Sequence, residues 1–506
     1  MDQVVKLRKA SEDRTDFEDN QFDLDDREHR ATVERTFRLS SHQSITKDMV
    51  SFIVDGSQSS DINQGGLGDC WFLAALSCIA TKDQPGTEVA KIKEDTIETV
   101  LQVGFNKTMM AEGTGGFKFK FFRMGEWVDV VIDDKLPLRK RARPSDSGEW
   151  WVPLTEKAYA KFNGGYEKIQ GGQTGRAMTD LSGGIAVDMN DFEYGLGVNE
   201  NNTINGINLV DLLKKIQRNA LICTSNRDGA GNEQIRKGLV SGHAYSLLAV
   251  DTMTLSDGSK KDMVKIRNPW GQTEWTGDWS DKDSANWSRV PAEEKKRLKM
   301  DEATNDGAFW MALRDWVDEF ENLAICALPG LDVNDPDGII SEEEMRNRDH
   351  RVKGTFRPGK NAPLNTGHLC QTFRNPVFST QVELTVDAYG GTDSRLVWLQ
   401  VLTDTPLKEN RLLMVNFWAK RNDDSEFDGP QTSRNFRRFK KIEPVIPASP
   451  GYNISVYQHN GFLLNLNPGK YLITLSSCMQ QNCTDPADFM VRAMGANLKL
   501  RPLTSM

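Results

Sequence analysis

The sequence predicts an α+β protein in several parts: a largely helical lobe, a strand-rich lobe and a C-terminal antiparallel β-sandwich. Three observations carry this reading. The chain has 506 residues, too many for one core, and a prior of roughly 150 residues per domain suggests about three. An apolar, alanine-rich run, Phe72-Leu73-Ala74-Ala75-Leu76, follows a glycine-rich turn and reads as a helix start. Beyond residue 350 short apolar runs alternate with turns, and Val382, Leu384 and Val386 show the period of two of a half-buried strand.

Residues 1–44 are highly charged and nearly without apolar periodicity, and read as a solvated arm or a short surface helix. Residues 45–172 make the helical lobe, with a second helix over 151–162, and Gly164, Gly165, Gly171 and Gly172 supply a hinge. Residues 173–328 turn to strands around His243 and Asn268, after a helix over 210–216. The acidic stretch 329–350 breaks the apolar pattern and reads as a linker. Within it, Asp332 to Glu342 carries calcium-loop residues out of register: with Asp332 as position one, the sharp-turn glycine arrives a residue late and Pro336 takes a ligand position. In residues 351–506 strands are predicted over 381–388, 395–402, 411–419, 453–458, 462–466, 471–476 and 489–494, enough for a sandwich.

The formal net charge of −9 argues against nucleic acid as a partner. No stretch approaches the ~18 consecutive apolar residues of a membrane helix, and the N-terminus lacks an apolar signal region, which makes the chain cytoplasmic. The seven cysteines, at 70, 78, 223, 326, 370, 478 and 483, include no CxxC pair and no zinc-type spacing, so free thiols are expected.

Gln64-Gly-Gly-Leu-Gly-Asp69-Cys70-Trp71 sets a cysteine where the glycine turn gives way to the helix. In a first turn, unsatisfied N–H groups lower a thiol's pKa and can hold a developing oxyanion. The bland alternative is a buried helix cysteine. A thiolate needs a base, and His243 is the sole histidine between residues 43 and 349. It sits in a glycine turn that feeds the apolar run 244–250. A second strand ends at Asn268-Pro269-Trp270, where the asparagine amide can orient an imidazole and the tryptophan can shield it. Cysteine, histidine and asparagine thus occur in an order that suits an acyl-transfer triad. Trp270, Trp275 and Trp279 read either as a core patch or as a cleft wall.

These stretches resemble the calpain family of intracellular, calcium-dependent cysteine proteases, within the papain-like group. The match is carried by Asp61-Ile62-Asn63-Gln64 through Ala75, by Lys237 through Ser246, and by Ile266 through Asp281, with looser support from Gly125 to Asp134 and Glu156 to Lys161. The resemblance implies a two-lobed papain-like core followed by a C2-like β-sandwich. It also implies Cys70 as nucleophile, His243 as general base, Asn268 as its orienting group, Gln64 as an oxyanion donor and Trp270 as a cleft wall. The expected activity is calcium-regulated limited proteolysis of protein substrates in the cytoplasm. A catalytically silent scaffold and a calcium- or phospholipid-binding adaptor are the alternatives.

The resemblance implies two calcium sites. Val54, Gly56, Asp61 and Glu149 match the first lobe's positions; Glu274, Asp281, Thr304 and Asp306 match the second's, where Ala308 replaces a family glutamate and weakens the site. On the sandwich, Asp387, Asp393, Asp423, Asp424, Glu426 and Asp428 are candidate loop-tip calcium ligands, and Arg434, Arg437, Arg438, Lys440 and Lys441 offer a weak anionic-lipid contact. The chain ends without the penta-EF-hand domain of conventional members, so an atypical, monomeric member with no small EF-hand subunit is expected.

Overall fold

The computed structural model describes residues 17–22, 24, 36–39, 51–80, 88–145, 148–189, 198, 202–204, 207–226, 235–298, 306–329, 349–356, 380–387, 395–403, 411–420, 439–442, 454–455, 459–479, 487–495 and 497–503. Thr304, the calcium-loop-like stretch and nearly all of the linker lie outside these residues, as do Asp393, Asp423, Asp424, Glu426, Asp428, Arg434, Arg437 and Arg438. The chain forms two compact units, one of Met1–Gly183, Gly195–Thr203 and Ile207–Ala324, the other of Gly184–Tyr194, Ile204–Gly206 and Ile325–Met506. Among the described residues no helix is long and apolar enough to cross a membrane.

The first unit is built around the helix Cys70–Ala80, in which every residue from Trp71 to Ala80 is buried. A helix apolar on all faces needs cover on all sides. Here the helix Thr174–Ser182 packs on one side, and the strands Ala244–Thr254 and Ala220–Asn226 on another. Ser246 clamps the strand face by donating its hydroxyl to the carbonyl of Ala74 at 2.8 Å. Cys78 donates to the carbonyl of Ile222 at 3.1 Å and lies 3.5 Å, sulfur to sulfur, from Cys223. Cys70, Cys78, Cys223 and Cys326 are all free.

The first lobe also holds a hairpin, Gly116–Arg123 with Glu126–Asp133, in addition to its helices. Its turn residues Met124 and Gly125 both have positive φ, 48° and 84°, the two-residue geometry that matches strand twist. Phe117, Phe119 and Phe121 face the core while Lys118 and Lys120 alternate outward. Lys157 closes the lobe from below: fully buried, it pairs with Asp133 and donates to the carbonyl of Lys135 at 2.7 Å.

The second lobe is a sheet in the order Ala308–Ala312, Lys260–Arg267, Ala244–Thr254, Ala220–Asn226 and Phe320–Ala327, its first four strands antiparallel. Register places Ser246 opposite both Arg267 and Cys223, and Arg267 opposite Ala308. Trp279 and Trp310 belong to a buried cluster with Met253, Met263 and Leu298, so Trp279 is a core residue.

The second unit is a β-sandwich. One sheet orders Asp349–Phe356, Ala487–Met494, Arg395–Thr403 and His459–Leu466; the other orders Phe439–Ile442, Arg411–Lys420, Gly469–Met479, Thr380–Val386 and Leu498–Pro502. Alternate residues of both sheets meet in one core, with Val382, Leu384 and Val386 facing Val397, Leu399, Phe462, Leu464 and Val491. Gly461 is fixed by a close approach, since a Cβ there would lie 1.6 Å from the carbonyl oxygen of Ala186. Lys440 and Lys441 lie on the strand Phe439–Ile442, and Asp387 pairs with Lys499 at 3.4 Å.

A buried pair ties the strand Asp349–Phe356 to its neighbour: the Arg492 guanidinium grips Asp349 with two bonds of 2.6 and 2.7 Å. Burial pushes the Asp349 carboxyl up, but Arg492 and Arg351 outweigh it and hold it below the usual carboxylate range. Its contribution is therefore present at neutral pH and lost as pH falls through the depressed value. Arg492→Ala leaves the partly buried Asp349 with Arg351 alone and is expected to lower stability by about 1–3 kcal/mol, read as a lower urea midpoint.

Candidate active site

The Cys70 turn is held by main-chain bonds that leave little freedom. Gln64 N–H donates to the carbonyl of Pro269 at 2.9 Å, Leu67 N–H to Lys140 at 3.0 Å, and Gly171 N–H to Gly68 at 2.8 Å. Gly65 presses on the 140–141 backbone so closely that a Cβ would sit 1.9 Å from the carbonyl oxygen of Arg141. The chain can fold this tightly only with glycine there. Cys70 then opens the helix, half-buried.

His243 arrives on the opposing lobe. Its N–H donates to Asn226 Oδ1 at 3.1 Å, which fixes the turn ahead of the strand Ala244–Thr254. The next residue, Ala244, opens the strand whose Ser246 hydroxyl bonds the Cys70 helix at the carbonyl of Ala74. The imidazole is nearly buried, edge-on to Tyr245 at 5.0 Å and inclined to the Trp270 ring at 5.1 Å. Its Nε2 lies 2.9 Å from Asn268 Oδ1. An amide oxygen only accepts, so Nε2 carries the hydrogen and Nδ1 is left as a lone-pair acceptor.

Asn268 is fully buried and fully engaged. Its Oδ1 also accepts the Trp270 N–H at 3.0 Å, its Nδ2 donates to Thr273 O at 3.0 Å, and its N–H donates to Gly307 O at 2.8 Å. Trp270, half-buried, covers the histidine. Next to it Arg267, which the sequence reading passed over, is buried and donates to the carbonyl of Ile62 at 2.9 Å, joining the two lobes behind the site.

Burial decides the protonation of the pair. It pushes the Cys70 thiol up to about 11, helped by the neighbouring Asp69 charge, although the N–H groups of Ala244, Trp71 and Cys70 pull the other way. It lowers His243 to about 4 against the Asn268 hydrogen bond. The sequence expectation was a depressed thiol pKa. First-turn dipole effects amount to roughly 0.3–1 kcal/mol, less than one pKa unit, and desolvation exceeds them. Both groups are therefore neutral near pH 7. Alkylation of Cys70 by iodoacetamide in calcium-free buffer is expected to be slow at pH 7 and to rise about tenfold per pH unit towards pH 10, measured by mass of the labelled peptide.

Gln64, expected as an oxyanion donor, holds its amide inward. Nε2 donates to Leu67 O at 2.7 Å and lies 3.5 Å from Asp69 Oδ1, while the buried Oε1 has no donor.

The two calcium-matching sets are carboxylates that repel one another. Glu149 Oε1 accepts the Val54 N–H at 2.6 Å. Asp61 is pushed up to about 6 by burial and by the charges of Glu149 and Asp55. In the second lobe burial raises Glu274, as do Asp281 and Asp306; Asp281 is raised the same way by burial and Asp306. Clustered carboxylates, of which Asp61, Glu274 and Asp281 are raised by burial and like charge, fit a hard cation. Among the described residues no group of three or more His, Cys, Asp or Glu side chains is disposed to hold a metal alone, so backbone oxygens such as those of Val54 and Gly56 must complete the first set. Ala308 offers the second set no carboxylate.

The family described as calpain family cysteine protease matches residues 16–327. Calpain-1 catalytic subunit of Gallus gallus is 33% identical over 343 residues, covering 66% of this chain and 44% of that protein. The Mus musculus protein of that name is 34% identical over 371 residues, covering 71% and 47%, and the Homo sapiens one 33% over 354 residues, covering 68% and 45%. The chain thus spans about half the length of these relatives. A pattern that covers the whole first unit from residue 16 onward, on an α+β core followed by a β-sandwich, decides the matter: the chain belongs to the calpain family of cysteine proteases.

Proposed function

We propose that the chain is a calcium-regulated cysteine endopeptidase of the cytoplasm that makes limited cuts in protein substrates, with residues 45–172 and 173–328 as its two catalytic lobes. One observation carries the reading: the strand that follows His243 is bonded to the Cys70 helix, Ser246 to the Ala74 carbonyl, while the imidazole is anchored to Asn268. With Nε2–H bound to Asn268, Nδ1 faces outward as a base. His243 takes the thiol proton as the Cys70 sulfur attacks the scissile carbonyl carbon, so the neutral pair works by general-base catalysis rather than from a preformed ion pair. The same nitrogen then protonates the leaving amine. Water hydrolyses the thioester, giving up its proton to His243. Asn268 keeps the imidazole in this tautomer, and Trp270 keeps water from their bond. The oxyanion meets the Cys70 N–H and, after its amide rotates from Leu67 O, Gln64 Nε2. Unlinked thiols support residence in a reducing compartment.

Asp61 and Glu149, with the carbonyls of Val54 and Gly56, would hold calcium in the first lobe, and Glu274, Asp281 and Asp306 more weakly in the second. Bound calcium would supply charge neutralisation between these carboxylates. Asp61 stands three residues before Gln64 and Glu274 four after Trp270, so the spacing of these carboxylates would bear on lobe alignment. Casein cleavage is expected to vanish in excess chelator, and Asp61→Asn or Glu149→Gln to raise the half-activating calcium concentration roughly tenfold or more. Full cleavage in chelator would remove the calcium part of the reading.

A further inference from the structure

Two carboxyls, one of them on the residue before Cys70, are packed where no solvent reaches. Asp69 and Glu156 are both 0% exposed. They stand within hydrogen-bonding reach of each other, yet Asp69 Oδ2 and Glu156 Oε2 each lack a donor. Two acceptors facing each other in a dry site are satisfied by one proton between them, and two bare charges there would be strongly unfavourable. Glu156 is placed to carry that proton. Its Oε1 already accepts the Ala142 N–H at 2.9 Å, leaving the other oxygen to donate. Asp69 must remain an acceptor, since its Oδ1 faces Gln64 Nε2 at 3.5 Å. Its main-chain carbonyl takes the N–H groups of Phe72 and Leu73 at 2.9 and 3.1 Å, closing the first turn under Cys70.

We propose that Asp69 and Glu156 share a single proton and act together as positioning residues, holding the Gln64 amide and the first turn of the Cys70 helix. The proposal rests on the protease reading for its kinetic consequence only. The chain of bonds runs Ala142 N–H to Glu156, Glu156 to Asp69, and Asp69 to Gln64. The other titratable groups facing the pair are the Arg141 guanidinium and the Tyr166 hydroxyl beside Glu156, and Cys70 beside Asp69. Burial raises Asp69 to about 7 and lifts Glu156 well above its ordinary value, where the Asp69 charge raises it too. Above pH 7 the pair therefore holds one proton, on Glu156. At higher pH that proton is lost, two buried anions repel, and Asp69 is driven from Gln64.

The test uses the full chain and Glu156→Gln, whose amide keeps the acceptor for Ala142 and gives Asp69 a donor that cannot titrate. At pH 8 the infrared difference between the two proteins is expected to contain a protonated-carboxyl C=O band belonging to Glu156. In casein cleavage with calcium, Glu156→Gln is expected to move the alkaline limb of kcat upward by about one pH unit or more, with KM unchanged. A merely structural glutamate would alter the level of activity and not its pH limb. Absence of the infrared band overturns the shared proton, and an unmoved limb overturns the positioning role. If neither protein cleaves casein, the protease reading fails and the infrared band alone decides the proton.

Discussion

Alanine at Cys70, at His243 or at both is expected to lower kcat by about the same factor, roughly 10⁶, the scale seen when a nucleophile or base is removed from a hydrolase triad. The equality is the informative part. Without the sulfur, His243 Nδ1 has no proton to take; without the imidazole, Cys70 stays a thiol, because burial holds it near 11. Each group is inert alone, so the second substitution costs nothing further. Casein cleavage by the three variants at saturating calcium measures this. A double variant far slower than either single would mean that the two residues act in separate steps.

Asn268→Ala is expected to lower kcat by about 10²–10⁴ with KM little changed. The loss follows from the tautomer. Asn268 Oδ1 is the acceptor that keeps the hydrogen on Nε2 at 2.9 Å. Without it the buried Nε2–H is unsatisfied, at a cost of about 1–3 kcal/mol, and the ring relieves this by moving the proton to Nδ1, which then cannot accept the thiol proton. The Trp270 N–H and Thr273 carbonyl lose partners too, so the melting temperature should also fall. A loss confined to KM would make Asn268 a substrate-binding group instead.

The residues that build the site were legible because local sequence places them. A glycine turn before an alanine-rich helix, a scarce histidine before an apolar run and an asparagine at a strand end each point to a position on an element. The sandwich strands showed themselves by alternation, although Gln381 and Glu383, between the core residues of Thr380–Val386, are themselves buried. The hairpin Gly116–Arg123 with Glu126–Asp133 carries the same alternation within a lobe read as largely helical, where neighbouring helices dominated the pattern. What no local pattern shows is the environment created by distant segments. Cys70 looks like a depressed thiol until packing from distant segments raises it. Cys78 and Cys223 look unrelated until a helix meets a strand. Asp69 and Glu156 lie far apart in the sequence, and only the fold makes them partners. Gln64 was found by its place in the turn, while its inward amide depends on Leu67 and Asp69.

Labelling with a peptidyl epoxide, followed by mass mapping, tests the triad most directly, because it reads the nucleophile without needing the natural substrate. In millimolar calcium one adduct per chain is expected, on Cys70, and none in His243→Ala. Adducts spread over Cys78, Cys223 and Cys326, or equal labelling of Cys70 with and without His243, would contradict a cysteine protease worked by this pair.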